Sequence, residues 1–287
     1  MSFIAFAWIA SFFYALTIIV GKLTSKYAVP NPWMYEFFWE LFTLLFMLPV
    51  ALFSGVGMPT EWGSVIWAGF TSAAAGVLYV QSLYRLDVSV LGPLYNFRTP
   101  MTVLLAVLFV GELLSVEQLV LIGIVTVAGI FVSFDEHMKL RSFFRPRIGF
   151  ALLTVLASAI MGLAINRALQ VNGFWEATLW IAVFVMIFLL PTIPLFVRKF
   201  HRVKPAQYTG IVASSLVFVI GLLAFNKAVA QNISITTTIV SLPLSLIITF
   251  ILSMLVPKLL EKHTPAVYII RLAAALVMVG AALRLSV

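Results

Sequence analysis

The chain has 287 residues, of which 63% are hydrophobic and only 10% charged, with a mean hydropathy of +1.12 and a formal net charge of +8. Soluble chains are roughly 45–50% apolar and about 25% charged, so this one has too little polar side chain to clothe a water-soluble domain, and lipid must be most of its solvent. Cysteine is absent, which excludes disulfides, Cys–His zinc sites and thiol chemistry, and the basic excess sits in short loops between apolar runs, where it signals topology and contact with anionic lipid, not nucleic acid.

A membrane-spanning helix needs about 20 apolar residues, at 1.5 Å each, to cross about 30 Å of hydrocarbon. The first such run is 2–21. It has no basic segment before it and no small-residue cleavage site after it, so it reads as a first membrane helix and not as a removed signal peptide. Nine more spans follow at 33–53, 63–84, 88–110, 117–134, 148–166, 174–196, 207–226, 234–256 and 266–285. The breaks fall at turn and charge clusters: Pro30-Asn31-Pro32, Gly55 to Pro59, Asp135-Glu136-His137, and Arg198 to Lys204. Only the stretch from Asp135 to Arg147 has room for even a small amphipathic turn. The expected fold class is an all-α membrane protein of ten transmembrane helices.

The chain repeats itself. Trp33 and Pro49 of the second span correspond to Trp175 and Pro191 of the seventh, both displaced by 142 residues, within the similar strings Leu-Phe-Met-Leu-Pro and Ile-Phe-Leu-Leu-Pro. Lys22 corresponds to Arg167, Gln81 and Ser89 to Asn226 and Ser234, and Pro100 to Pro243, all in the same order. The spacing predicts two five-helix repeats, residues 1–138 and 144–287. An odd number of helices per half inserts the second repeat upside down, the symmetry that alternating-access carriers use. Loops after odd-numbered spans hold thirteen basic residues, eight of them between Lys139 and Arg147 and between Arg198 and Lys204; the opposite face holds three, Arg167, Lys227 and Arg284. Counted by the positive-inside rule, the odd loops are cytoplasmic and both termini lie outside.

The run Leu83-Tyr84-Arg85-Leu86-Asp87-Val88-Ser89, the proline-bearing helix to Pro100, the turn Val110-Gly111-Glu112-Leu113-Leu114-Ser115 and the following helix with Gly123 and Gly129 resemble the repeat signature of EamA-type carriers of the drug/metabolite transporter superfamily. The second half departs from the pattern: Met254 to Lys258 replaces the Gly-Glu turn, and Glu261 with Thr264-Pro265 is a shifted echo of it. The resemblance implies a ten-helix basket. Its central cavity would be built from helices 1, 3, 4, 6, 8 and 9, with helices 5 and 10 peripheral. It also implies cytoplasmic termini, the reverse of the charge count.

Arg98 is the sharpest chemical signal. It lies near the middle of the fourth span, where an Arg costs roughly 2.5–3.5 kcal/mol on translocon scales and faces a cavity or a partner. Its planar fork suits a carboxylate or phosphate; the alternative is a fixed ion pair with Glu40 or Glu36. Tyr95 and Thr102 share its helical face, and Asn96 lies beside it. Glu36 and Glu40 are one turn apart on the second span with Thr43 on the same face, fit either to carry protons or to pair with Lys22 or Arg271. Gln81 and Asn226 are symmetry-related amides, fit to bind a polar solute or to bridge helices. Pro93 and Pro100 make the fourth span breakable, and Pro243 with Ser241 does the same in the ninth, either exposing backbone carbonyls to a ligand or only shaping packing. Tyr14 and Tyr79 lie deep enough in their spans to line a cavity. Trp8, Trp33, Trp62, Trp67, Trp175 and Trp180 fall near span ends and read as interfacial belts.

No catalytic signature, Walker loop or metal-ligand spacing appears: His137, His201 and His263 are scattered through loops. The expected protein is not an enzyme and needs no cofactor. It is a secondary carrier, exporter or exchanger, of a small polar or amphipathic metabolite such as an amino acid. Its partners are that small-molecule substrate and the bilayer of the cell membrane, and it works as a monomer or homodimer. The rival expectation is a membrane-embedded lipid-handling or scaffold protein. A carrier gathers its polar residues centrally, whereas a lipid handler opens a lateral slot between helices.

Overall fold

A computed structural model describes residues 2–27, 29, 31–85, 97–132, 146–198, 205–253 and 265–287. Among these residues the fold is helical throughout, without strands. In chain order the helices are α1 (Phe3–Tyr27), α2 (Pro32–Phe53), α3 (Trp62–Arg85), α4 (Arg98–Leu105), α5 (Val116–Val132), α6 (Pro146–Val171), α7 (Phe174–Leu189), α8 (Pro205–Val229), α9 (Ile233–Val240), α10 (Leu244–Ser253) and α11 (Pro265–Leu285). Seven are long and apolar enough to cross a membrane, and three shorter apolar stretches, Arg98–Val110, Val116–Val132 and Ile233–Ile248, lie where the remaining spans are expected.

Proline sets many of the boundaries. Pro32, Pro146, Pro205 and Pro265 each occupy the first position of a helix, where the missing N–H has no partner to lose and the fixed φ favours the helix. Asn31 completes the start of α2 by accepting from the backbone N–H groups of Trp33 (3.0 Å) and Met34 (3.4 Å). Three expected spans prove irregular. The seventh ends in a 3-10 turn, Leu190–Leu195, because Pro191 and Pro194 cannot donate to an α-helical ladder. The fourth ends differently: α4 widens into a π-helical turn, Ala106–Val110, closed by Gly111 at φ 74°, a left-handed conformation that glycine adopts without a Cβ penalty. The ninth is broken in two around Ser241, Leu242 and Pro243.

The break at Pro243 is fully supported. Proline removes the bond to the carbonyl four residues earlier, which is that of Ile239. That oxygen accepts instead from Ser11 Oγ of α1 at 3.0 Å and from the Leu242 N–H at 3.3 Å. Ser241 Oγ donates to the Thr238 carbonyl at 2.7 Å, so its hydroxyl hydrogen turns back into its own helix.

The bundle is built on two close helix pairs, α1 with α8 and α3 with α6. Small residues let the backbones approach. A Cβ at Gly221 of α8 would lie 2.8 Å from the Tyr14 ring, and one at Gly69 of α3 would lie 2.5 Å from Phe184 Cβ of α7. The main core cluster joins Ala10, Val65, Ala68, Ile165, Ala168, Ile181, Val185 and Phe225 across five helices. The outer wall is different: α5 packs on α11, and Leu119, Val120, Val127, Leu276 and Val277 are exposed, as a lipid-facing surface requires. Glu117 at the start of α5 meets Arg284 at the end of α11 at 2.9 Å, each on the helix end its charge favours. Both side chains are exposed, so the pair contributes little.

Candidate functional site

The polar side chains of a chain dissolved in lipid must be gathered inside or partnered. Here several helices bring them together. From α2 come Glu36, which is 3% exposed, and Glu40, one turn on, with Thr43 continuing the same face. From α1 comes Tyr14, stacked on Phe218 of α8 with centroids 5.5 Å apart and tilted against Phe225 at 5.9 Å. Trp39 of α2 meets the far side of the same wall, edge-on to Phe218 at 5.3 Å. From α4 comes Arg98, at the first position of that helix.

Tyr14 lies within electrostatic reach of both Arg98 and Glu40, and Glu36 within reach of both Glu40 and Tyr35. The cluster therefore runs continuously from Arg98 through Tyr14 to the two carboxylates. Among the described residues, neither Glu36 nor Glu40 is ion-paired with Arg98, and the Arg98 Nε is buried without a hydrogen-bond partner. Arg271 lies on α11. The side chain of Lys22, like Tyr95, Asn96 and Pro93, lies outside the described residues. Pro100 sits in the first turn of α4, where its missing N–H breaks no intrahelical bond.

Other buried polar atoms of these and neighbouring helices are without a partner: Thr43 Oγ1, Thr99 Oγ1 and Thr102 Oγ1, Trp39 Nε1, Ser234 Oγ and Asn226 Oδ1. An unsatisfied buried group costs about 1–3 kcal/mol, and several on converging elements mark a place for water or a polar solute. Asn226 donates its amide to Thr178 Oγ1 of α7 at 3.2 Å and keeps its carbonyl oxygen free. Gln81 is buried one turn before the end of α3. Tyr79 packs in a separate aromatic cluster with Tyr35, Trp39 and Tyr208.

One end of the bundle is stitched shut. Asn172, after α6, accepts from the Glu61 N–H at 2.9 Å and donates to the Glu61 carbonyl and Ser64 Oγ, so the α2–α3 and α6–α7 connections close on each other. Glu61 also accepts from the Ser64 N–H and caps α3; these bonds hold its carboxyl below the usual carboxylate range. Trp180 Nε1 donates to the Gly57 carbonyl at 3.1 Å, and the Trp62 and Trp180 rings meet at 5.0 Å. Asn166 Nδ2 donates to the Val229 carbonyl at 2.7 Å. Glu112, on the turn after Gly111, places its two carboxylate oxygens on the first N–H groups of α9, Ile233 and Ser234, where a helix N-terminus favours negative charge. Sequence reasoning named neither the Asn166 and Asn172 contacts nor the aromatic wall of Phe218 and Phe225. Nothing in the local pattern distinguishes those residues from ordinary core or loop positions.

A model described as the EamA-like transporter family matches residues 1–134. The first half of the chain is thus similar to the EamA-like transporter family. The family lies within the drug/metabolite transporter superfamily, and its members are transporters of small solutes across membranes, not enzymes. The Gly-Glu turn that carries the EamA resemblance is the turn whose glutamate caps α9. The matching turn of the second half, between Met254 and Thr264, lies outside the described residues. No curated protein matches the chain. One solved crystal structure, titled only as that of a protein, matches 98% of this chain and 97% of its own with a TM-score of 0.75 and 15% identity, a likeness of fold alone.

Proposed function

We propose that this EamA-like protein is a secondary carrier for a small polar or amphipathic metabolite bearing an anionic group, such as an amino acid. It works by alternating access around Arg98 and the aromatic wall beside it. The observation that carries this reading is Arg98 itself: a partly buried arginine at the start of α4, with its Nε buried and unpartnered and no carboxylate paired to it among the described residues. An Arg so placed needs a counter-charge, and a solute carboxylate or phosphate supplies one bidentately. The Tyr14, Phe218 and Trp39 rings beside it suit an amphipathic solute.

Ten membrane crossings in two inverted halves suit the packing pattern. Exchanging α1 with α6, α2 with α7, α3 with α8 and α4 with α9 converts the α1–α8 contact into α6–α3, α2–α8 into α7–α3, and α4–α6 into α9–α1, each of which occurs. The α2–α7 and α5–α11 contacts map onto themselves. In this reading the shorter apolar stretches Arg98–Val110, Val116–Val132 and Ile233–Ile248 belong to crossings too. The rival lipid-handling reading is served less well. The groove between α5 and α11, about 690 Å³ and lined by Val120, Gly123, Val127, Ala273 and Val277, has apolar walls and does not include Arg98 or the carboxylates.

The test is counterflow in liposomes containing the purified protein, with labelled amino acids, nucleosides and sugar phosphates as probes. Saturable exchange of an anionic or zwitterionic probe that is lost in Arg98→Ala supports the reading. Exchange unaffected by Arg98→Ala, or none with any probe while labelled lipid is exchanged, overturns it.

A further inference from the structure

Glu36 and Glu40 are not accounted for by solute binding at Arg98. Both project from α2 into the bundle, one helical turn apart, and each is within electrostatic reach of the other. The Glu36 carboxylate is pressed against α3 at Gly76, so closely that a Cβ there would lie 2.1 Å from Oε1. Among the described residues neither carboxylate has a hydrogen-bond donor or a cation paired to it. Thr43, 1% exposed and one turn further along the same face, carries a hydroxyl that is also without a partner. Two carboxylates this close in a medium of low dielectric do not both ionise, and an uncompensated charge at this depth is the costliest arrangement open to the bundle.

We infer that Glu36 and Glu40 form a proton-binding site, holding one proton between them, and that this proton moves together with the anionic solute carried at Arg98. The second half rests on the transport reading above; the first does not. The groups facing the pair bear this out. Tyr14 and Arg98 lie on the Glu40 side, and Tyr35 lies on the Glu36 side. The helices packed on α2 contribute Tyr79 and Tyr84 from α3, Glu176 from α7, and Tyr208 and Lys227 from α8. Lys227 stands over the Phe174 ring at 3.8 Å and Glu176 accepts from the Gly57 N–H, both at the stitched end away from the pair. Tyr14 joins the two functions, lying within electrostatic reach of both Arg98 and Glu40, so an anion that neutralises Arg98 favours the protonated form of the carboxylates. Proton and solute then occupy one electrostatic unit and do not act independently.

Two measurements test this. The first uses protons as the only ligand. Infrared difference spectra of the purified protein, taken across about pH 5 to 9 where a perturbed carboxyl titrates, should show the carbonyl stretch of a protonated carboxyl that bleaches on alkalinisation. The band should vanish in the Glu36→Gln/Glu40→Gln double variant. No titrating band, or one unchanged in the double variant, overturns the proton site, whatever the solute proves to be. The second uses liposomes loaded with the probe that shows counterflow, the membrane potential clamped at zero. One proton per solute makes a gradient of one pH unit support about tenfold accumulation, since each unit is a factor of ten in driving force. Glu36→Gln and Glu40→Gln should abolish that accumulation while retaining counterflow, whereas Arg98→Ala should lose both. Accumulation that survives in both Glu variants overturns the coupling; loss of counterflow in the wild type fails the solute reading and leaves the infrared result standing on its own.

Discussion

Arg98 shows how far one residue type carries an argument in a membrane. A guanidinium at that depth demands an explanation, and its two expected partners, Glu36 and Glu40, are not paired with it. Arg98→Ala should therefore leave the melting temperature in detergent unchanged or higher, because it removes a partly buried charge with no ion-pair partner among the described residues. If a pair did exist, breaking it would cost about 3–5 kcal/mol, and adding Glu40→Gln would restore the loss; such a rescue would contradict the cavity role. Arg98→Lys should keep folding but cut exchange strongly, since Lys retains charge and loses the planar fork. Glu61 makes a prediction of a different kind. Its folded carboxyl is held below the usual range by the Ser64 bonds, so its contribution is present at neutral pH and is lost as pH falls through that depressed value. Hydrogen exchange of the Ser64 amide should accelerate over that acidic window, and Glu61→Gln should flatten the dependence.

At the scale of elements, the Gly-Glu turn and the broken ninth span carry most of the information. Glu112→Ala removes two hydrogen bonds from the N-terminus of α9 and should cost about 1–3 kcal/mol, the range for leaving buried donors unpaired, read as a lower melting temperature. A value within error of wild type would show that the cap adds nothing. Pro243→Ala should have the opposite signature. It allows α9 and α10 to join into one straight helix, freeing Ser11 from the Ile239 carbonyl. Thermal stability should rise or hold while exchange in liposomes falls; unchanged exchange would mean the break serves packing alone. Both effects trace to residues whose spacing is plain in the sequence. The partner atoms on α1 and on the turn after α4 lie more than a hundred residues away, and no local pattern points to them.

For the whole molecule, charge and family resemblance make opposite predictions. The thirteen-to-three bias of basic residues predicts that both termini face outward, against the cytoplasmic termini that the family resemblance implies. Alkaline phosphatase and green fluorescent protein, fused separately to the C-terminus, decide it: phosphatase activity without fluorescence is the expected result, and fluorescence without phosphatase activity would show that the charge bias fails here. The stitched end formed by Asn172, Glu61, Trp180 and Asn166 would then be the outer one.

Seven of the expected spans were legible because lipid imposes a length and an apolarity that any crossing helix must meet, and prolines at first helical positions sharpened the edges of α2, α6, α8 and α11. The EamA kinship was legible from short motifs around a glycine and a glutamate. What the sequence left open is which polar groups meet. Arg98 and Glu40 lie 58 positions apart on different helices, and whether they pair depends on fractions of a helical turn in how α2 and α4 rotate about their axes. Tertiary packing decided that rotation: Gly221 admitted the Tyr14 ring, Gly76 admitted the Glu36 carboxylate, and Arg98 was left without a protein counter-ion among the described residues. Hydrophobic length is a property of a segment and can be read from it. The partner of a buried charge is a property of several segments packed together, and exists only once they are.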